Sequence, residues 1–408
     1  MTSSTKSQTG TKGLGTILVE PSAENRQPLN GYRVVNPPVY HASTYLFESY
    51  QDMRERGSSL DSTGRYPYGT FGNDTTRQLE LKIAQLEGAE DGLVVGTGLA
   101  ACTLPLITFA RQGDHVLVPD SVYGPVRAFC TRQLSRWGIE AEFYDPIEPI
   151  ETLAARIKPN TKLIHLESPG SVTFEVQDVA AIAALAKSRG VLTSIDNTWA
   201  TPLHLQPLRL GVDIAVHAAT KYLSGGSDLV MGLIASRQEL IAAMSRCRGN
   251  IGISASPDDA YRVLRGLRSL AVRLEAHRNS ALLVADHLAA RHEVAEVLFP
   301  ARPGDRFHDQ WKAQFSGCGG LFSVIFYPSW SHERVAKFCD SLQVFQLGYS
   351  WGGYESLVAA QDPGRARTAS PWPRPGMADG VLIRINVGLE DVQDLLDDLS
   401  QAFERANK

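Results

Sequence analysis

An α/β fold built on a mostly parallel sheet is what this sequence predicts, and three observations carry the prediction. Short apolar runs recur between residues 90 and 236, they alternate with segments of helical periodicity, and polar residues stand where the runs end. The runs are Leu93-Val94-Val95, HVLVP from His115, LIHLE from Leu163, VLTSID from Val191, DIAVHA from Asp213 and LVMGLIAS from Leu229. Each is short enough to be a strand buried on both faces.

The intervening segments read as helices. Leu79, Ile83 and Leu86 share one helical face, with Thr75 and Thr76 near the start and Gly88 as the stop. After Gly96-Thr97-Gly98 a helical stretch runs towards Gly113, and VQDVAAIAALAKSRG reads as a helix ending at Gly190. From Pro257 a long helical region carries Leu264, Leu267, Leu270, Val272 and Leu274. It leads into a second unit of α+β texture, with strand-like GLFSVIFY and VLIRINVGL, a helix near HERVAKFCDSL, and the segment SWGGYES. The expected division is an N-terminal arm over 1–70, a large unit over 71–268 and a smaller C-terminal unit over 269–408.

Composition limits the functions worth considering. Of 408 residues, 43% are hydrophobic and 21% charged, as in ordinary soluble globular proteins. A net charge of −4 without a dense Lys/Arg run gives no footing for nucleic acid or an anionic membrane. No apolar run reaches the ~18 residues that would span a bilayer. The opening MTSSTKSQTGTKG lacks an apolar core, so no secretory signal is expected there. Five scattered cysteines without a CxxC pair fit reduced thiols and a cytoplasmic setting.

Chemistry concentrates between Ser194 and Gly232. Asp196 follows one apolar run and Lys221 another, so a parallel sheet delivers a carboxylate and an amine to one rim. That pair suits pyridoxal phosphate (PLP), which needs a Schiff-base lysine and an acid partner for its ring nitrogen. Gly96-Thr97-Gly98, between a strand and a helix, makes an anion site from free amides and the helix dipole, though such turns are common. His165 and His217 lie on strand-like runs without HxxxH or HExxH spacing, so no metal site is expected from them.

The ordered motifs LESPGS, IDNTWA, AATKYLSGGSD, YSWGGYES and LIRINVGLED resemble the Cys/Met-metabolism PLP-dependent enzymes of fold type I, over roughly residues 65 to 400. That resemblance implies a large domain with a mostly parallel seven-stranded sheet and a smaller α+β C-terminal domain. It implies Lys221 as the Schiff-base lysine and proton-transfer base, and Asp196 as partner of the pyridinium nitrogen. Gly98 and Leu99 would hold the phosphate through their amides, Thr220 through its hydroxyl, and Tyr123 would stack on the ring. Arg384 would grip the substrate α-carboxylate, beside a pocket lined by Tyr349, Ser350 and Trp351. Tyr68 and Thr70 match an arm motif, commonly Tyr-x-Arg, that reaches a neighbouring subunit's phosphate; Tyr68 and Tyr123 could also help deprotonate the incoming amine. A homo-oligomer, a dimer of dimers, is implied.

Three departures sharpen this. Thr70 stands where the family has arginine, with Arg65 and Arg77 as candidates to replace the lost charge. Ala218 stands where many members carry a phosphate-binding serine, and Gly170-Ser171 where γ-acting members have an asparagine. The last two favour the branch that cleaves cystathionine, or cystine and other S-conjugates, by β-elimination. The alternatives are γ-elimination or replacement, amino-acid racemisation, and a PLP-binding protein without catalysis.

Overall fold

The computed structural model describes residues 12–20, 34–56 and 66–408. Seven strands form the first sheet: β1 (Asp91–Val95), β2 (His115–Pro119), β3 (Glu140–Tyr144), β4 (Thr161–Glu167), β5 (Leu192–Asp196), β6 (Ile214–Ala218) and β7 (Gly232–Ser236). Their spatial order is β1-β7-β6-β5-β4-β2-β3, and β7 alone runs against its neighbours. All five residues of β2 and of β7 are buried, which is why these strands are continuous apolar runs rather than alternating ones. The seven-stranded, mostly parallel expectation therefore holds.

The helices follow their local signals with two differences. Asn73, two residues ahead of the first threonine, caps the helix Asp74–Glu87 by accepting from the amides of Thr75 and Thr76, and the Thr76 hydroxyl answers the Asn73 amide. Gly88, at φ 70°, ends it. The helix after Gly98 closes at Phe109 and not near Gly113. In the long helix Pro257–Ala289, Val272 is 67% exposed, because two residues beyond Leu270 is the opposite face.

A second sheet contains β8 (Val294–Leu298), β9 (Leu321–Phe326), β10 (Gln346–Leu347), β11 (Leu357–Gln361) and β12 (Leu382–Asn386), in the order β10-β11-β12-β9-β8. The expected division at 268/269 falls within Pro257–Ala289. That helix packs Leu264, Leu267, Leu270 and Leu274 with Val94 and Leu233 of the first sheet. Its last turns put Ala281, Val284, Ala285 and Leu288 with Phe322 and Ile325 of the second sheet. One buried cluster includes residues of both sheets, and Trp199 donates its indole N–H to the Leu321 carbonyl at 3.1 Å. Burial of this size supplies the main stabilisation, at roughly 25 cal/mol per Å² of apolar surface.

A buckle also joins the two layers. Asp120, just past β2, accepts hydrogen bonds from the amides of Ala369 and Ser370 at 2.9 and 2.8 Å, from the Ser370 hydroxyl, and from the Thr368 amide. Arg127 pairs with it from the other side. Nearby, Glu175 ion-pairs with both Arg367 and Arg374, and Arg374 reaches on to Asp145.

Candidate active site

Because β1, β2, β4, β5 and β6 point the same way, residues just past their carboxyl ends share one rim. Gly98, Tyr123, Glu167, Asp196 and Lys221 all fall there. Asp196 is the last residue of β5. Its Oδ1 accepts from the Thr198 amide at 3.0 Å and from the Thr198 hydroxyl, and its Oδ2 from Cys102 Sγ at 3.4 Å. The same Thr198 hydroxyl accepts from the Ala218 amide at 2.8 Å and so ties the end of β5 to the end of β6. The carboxylate is thereby held in one orientation.

Lys221 lies three residues past β6, with its amide closing a turn on the Ala218 carbonyl. Its Nζ donates to Ser350 Oγ at 3.0 Å and stands 5.3 Å from the Trp351 ring centroid. Burial and then the Arg384 guanidinium push its pKa down to about 8, against the pull of Asp196 and Glu355. The segment Ser350-Trp351-Gly352 lies directly on the lysine's backbone. A Cβ at Gly352, whose φ is +77°, would meet the Tyr222 amide nitrogen at 2.8 Å, and Asn386 Oδ1 accepts from the Gly352 amide at 2.9 Å.

Arg384, on β12, points Nη2 at the carbonyls of Tyr349 and Ser350. Burial pushes its pKa down to about 10, and among the described residues no carboxylate ion-pairs with it. A half-buried guanidinium without an acid partner suits an incoming carboxylate. Of its neighbours, Tyr349 is 84% exposed and Trp351 partly buried, edge-on to Tyr222 at 5.4 Å.

Gly98 and Leu99 are the first residues of the helix Gly98–Phe109, so their amides have no acceptor within it. A Cβ on Gly98 would come within 2.5 Å of Ala218 Cβ, so the helix start sits against the end of β6 with no room to spare. Thr220 is close by, but its hydroxyl donates to the Met231 carbonyl and accepts from the Met231 amide. Tyr123 presents a partly exposed ring; burial and then nearby Cys102 and Asp196 raise its pKa.

Tyr68 and Thr70 lie on a separate turn. Tyr68 is 53% exposed and bridges to Thr44, and Phe71 beside them accepts from Arg248. Among the described residues no hydrogen bond links either to Lys221, Asp196 or Gly98. Arg77 is committed elsewhere, to Asp91 at 2.6 Å and Glu80 at 3.3 Å, and Arg65 lies outside the described residues.

Sequence reasoning missed Glu167, Thr198 and Cys102. Glu167 ends β4 as Asp196 ends β5, and that matching strand-end position was the available signal. Cys102 had none, because its approach to Asp196 spans 94 residues. The two rim-strand histidines are buried: His165 meets Ser194 at 2.8 Å, with burial lowering its pKa to about 4, and His217 meets Glu87 at 2.6 Å. A further trio, His115, Glu140 and Glu142, gathers at β2 and β3, where Lys158 Nζ already sits 2.8 and 3.1 Å from the two carboxylates.

The rim therefore combines an amine of lowered pKa, a fixed carboxylate, helix-start amides and an acid-free arginine. Those are the donors that PLP and an amino-acid substrate call for, and the residues present fit the cofactor.

Comparison with known proteins agrees. The model of the family described as Cys/Met metabolism PLP-dependent enzyme matches residues 15–404. An L-alanine/L-glutamate racemase of Wolbachia pipientis wMel is 40% identical, covering 91% of this chain and 93% of that one. Cystathionine beta-lyase MetC of Escherichia coli K12 is 36% identical, over 97% and 99%. The crystal structure of metB from Corynebacterium glutamicum superposes with a TM-score of 0.84 at 32% identity, over 97% of this chain and 98% of that one.

Proposed function

Because this chain belongs to the Cys/Met metabolism PLP-dependent enzymes, we propose that it is a carbon–sulfur β-lyase acting on L-cystathionine or a related cysteine S-conjugate. The products are a thiol such as homocysteine, pyruvate and ammonia. The observation that carries the reading is Lys221 Nζ held by Ser350 between the Asp196 rim and Arg384, with its pKa lowered to about 8. PLP, when bound, supplies an aldehyde that captures amines and a ring that absorbs the electron pair left on the α-carbon when its proton departs.

The chain's own residues do the rest. Lys221 as free base takes the substrate α-proton on Nζ, a role its lowered pKa suits. Arg384 binds the substrate α-carboxylate, and Tyr349, Ser350 and Trp351 line that end of the pocket. Asp196, oriented by Thr198 and Cys102, would partner the ring nitrogen. Gly98 and Leu99 would hold the phosphate on free amides, Thr220 would add its hydroxyl, and Tyr123 would cover the ring. Ala218 and Gly170-Ser171 favour β- over γ-chemistry.

Tyr68 and Thr70 are assigned to a neighbouring copy's site, which the exposure of Tyr68 supports. The active unit is then a dimer at least, with a dimer of dimers as the full assembly. A monomer with full activity would overturn that assignment. The division into 1–70, 71–268 and 269–408 belongs to the same proposal. No helix among the described residues is long and apolar enough to cross a membrane. A cytoplasmic location belongs to the same proposal, and the five free thiols support it.

The test is a product assay with L-cystathionine. Homocysteine, pyruvate and ammonia, lost in Lys221→Ala, are expected. Cysteine and 2-oxobutyrate would mean a γ-lyase, and D-alanine formed from L-alanine faster than elimination would mean a racemase. A PLP-free protein with full activity would end the reading.

A further inference from the structure

Two carboxyl groups, not one, leave the sheet beneath the candidate site. β4 and β5 are parallel neighbours, and Glu167 stands opposite Asp196 as the last pair of both. Asp196 has its donors in Thr198 and Cys102. Glu167 is 6% exposed and has no ion-pair partner among the described residues. Its Oε2 accepts from the Tyr123 amide at 2.7 Å, and Gln177 Oε1 accepts from its own amide at 3.0 Å. None of the proposed steps uses it.

We propose that Glu167 is a positioning residue: its carboxyl holds the main chain of Tyr123 at the rim beside Asp196 and thereby sets the height and tilt of the Tyr123 ring over the cofactor. This rests on the reading of the site as a PLP site. The loop from Asp120 to Tyr123 is then held at both ends, by the buckle at Asp120 and by Glu167 at Tyr123. Neither contact touches the ring, so the ring's own face stays free for a flat ligand.

The protonation of Glu167 follows from its surroundings. Burial and then the Asp196 charge raise its pKa to about 8, while the Ser171 hydroxyl and the amides of Tyr123 and Ser171 oppose that rise. That rise favours the protonated acid, and Oε2 remains the acceptor for the Tyr123 amide. Glutamine has the same length and the same acceptor oxygen. Aspartate keeps the acid but is one methylene too short to reach.

The experiment compares full-length, PLP-loaded wild type with Glu167→Gln, Glu167→Asp, Glu167→Ala and Tyr123→Ala. It records the visible circular dichroism of bound PLP, the Kd for PLP and the melting temperature. Glu167→Gln is expected to stay within about twofold of wild type in Kd, with the same dichroism, whereas Ala and Asp weaken PLP about tenfold, the worth of one such hydrogen bond. Their dichroism falls with it. Wild-type dichroism and Kd in Glu167→Ala would overturn the proposal, as would a Gln variant as impaired as Ala. Should Glu167→Ala not fold, the Asp variant decides, and wild-type values there are equally fatal. Tyr123→Ala separates the two readings: if it leaves the dichroism unchanged, the placement of PLP against Tyr123 is wrong whatever Glu167 does. If it alters the dichroism and Glu167→Ala does not, only the Glu167 proposal fails.

Discussion

Replacing Asp120 by asparagine tests how firmly the segment around Thr368–Ser370 is fastened to the first sheet. The carboxylate side chain is fully buried and takes the Thr368, Ala369 and Ser370 amides, the Ser370 hydroxyl and Arg127. Asparagine offers one acceptor oxygen, so its NH2 must face donors on one side or the other, and the buried Arg127 loses its counter-charge. Breaking one partner of a buried ion pair costs about 3–5 kcal/mol. At about 2–4 °C per kcal/mol for a cooperative unit of 150–250 residues, the melting temperature should fall by about 6–20 °C. The effect is also pH-dependent. Burial alone would raise the Asp120 pKa, but the Thr368 amide, the Ser370 hydroxyl, the Ala369 amide and Arg127 together hold it below its ordinary value. Its stabilisation is therefore present above the unfolded carboxylate pKa, near 4, and lost as pH falls through the lower folded value. Calorimetry of both proteins from pH 7 to pH 3 should show the gap between their melting temperatures closing at the acid end. A variant melting within about 2 °C of wild type at pH 7, less than the shift for one kcal/mol, would refute the reasoning.

Two further outcomes are expected. PLP capture by cofactor-free protein should quicken with pH through about 8, as Lys221 becomes a free base; Arg384→Ala should move that midpoint up and Asp196→Asn should move it down. Stopped-flow absorbance measures it, and shifts of the same sign would contradict the assigned causes. Gly98→Ala should lose about 1–3 kcal/mol by forcing its methyl against Ala218 and should weaken PLP, while Gly124→Ala, where a methyl meets nothing within 4 Å, should leave thermal stability unchanged.

What was legible in the sequence was whatever a single stretch contains. The apolar runs that became β2 and β7, and the polar residues closing β5 and following β6, needed only period and position. Asp196 and Lys221 were found that way. What escaped was made by strand order and long-range approach. Nothing local says that Glu167 and Asp196 end neighbouring strands, or that Cys102 on a helix turns its thiol to Asp196. The contact of Asp120 with Ser370 crosses 250 residues. The exposure of Val272 follows from its place on the helix opposite Leu270, and the engagement of the Thr220 hydroxyl by Met231 needs the fold to bring the two together.

The helix Pro257–Ala289 has a bearing on the order in which the protein can be made. Its first turns complete the layer over the first sheet, but Ala281, Val284, Ala285 and Leu288 face residues synthesised later, among them Phe322, Ile325 and Leu399. A nascent chain that has finished β7 and this helix therefore carries an apolar stripe with nothing to cover it until β9 and the C-terminal helix Val392–Asn407 emerge from the ribosome. Until then the far half of that helix offers other chains in the cell an apolar surface.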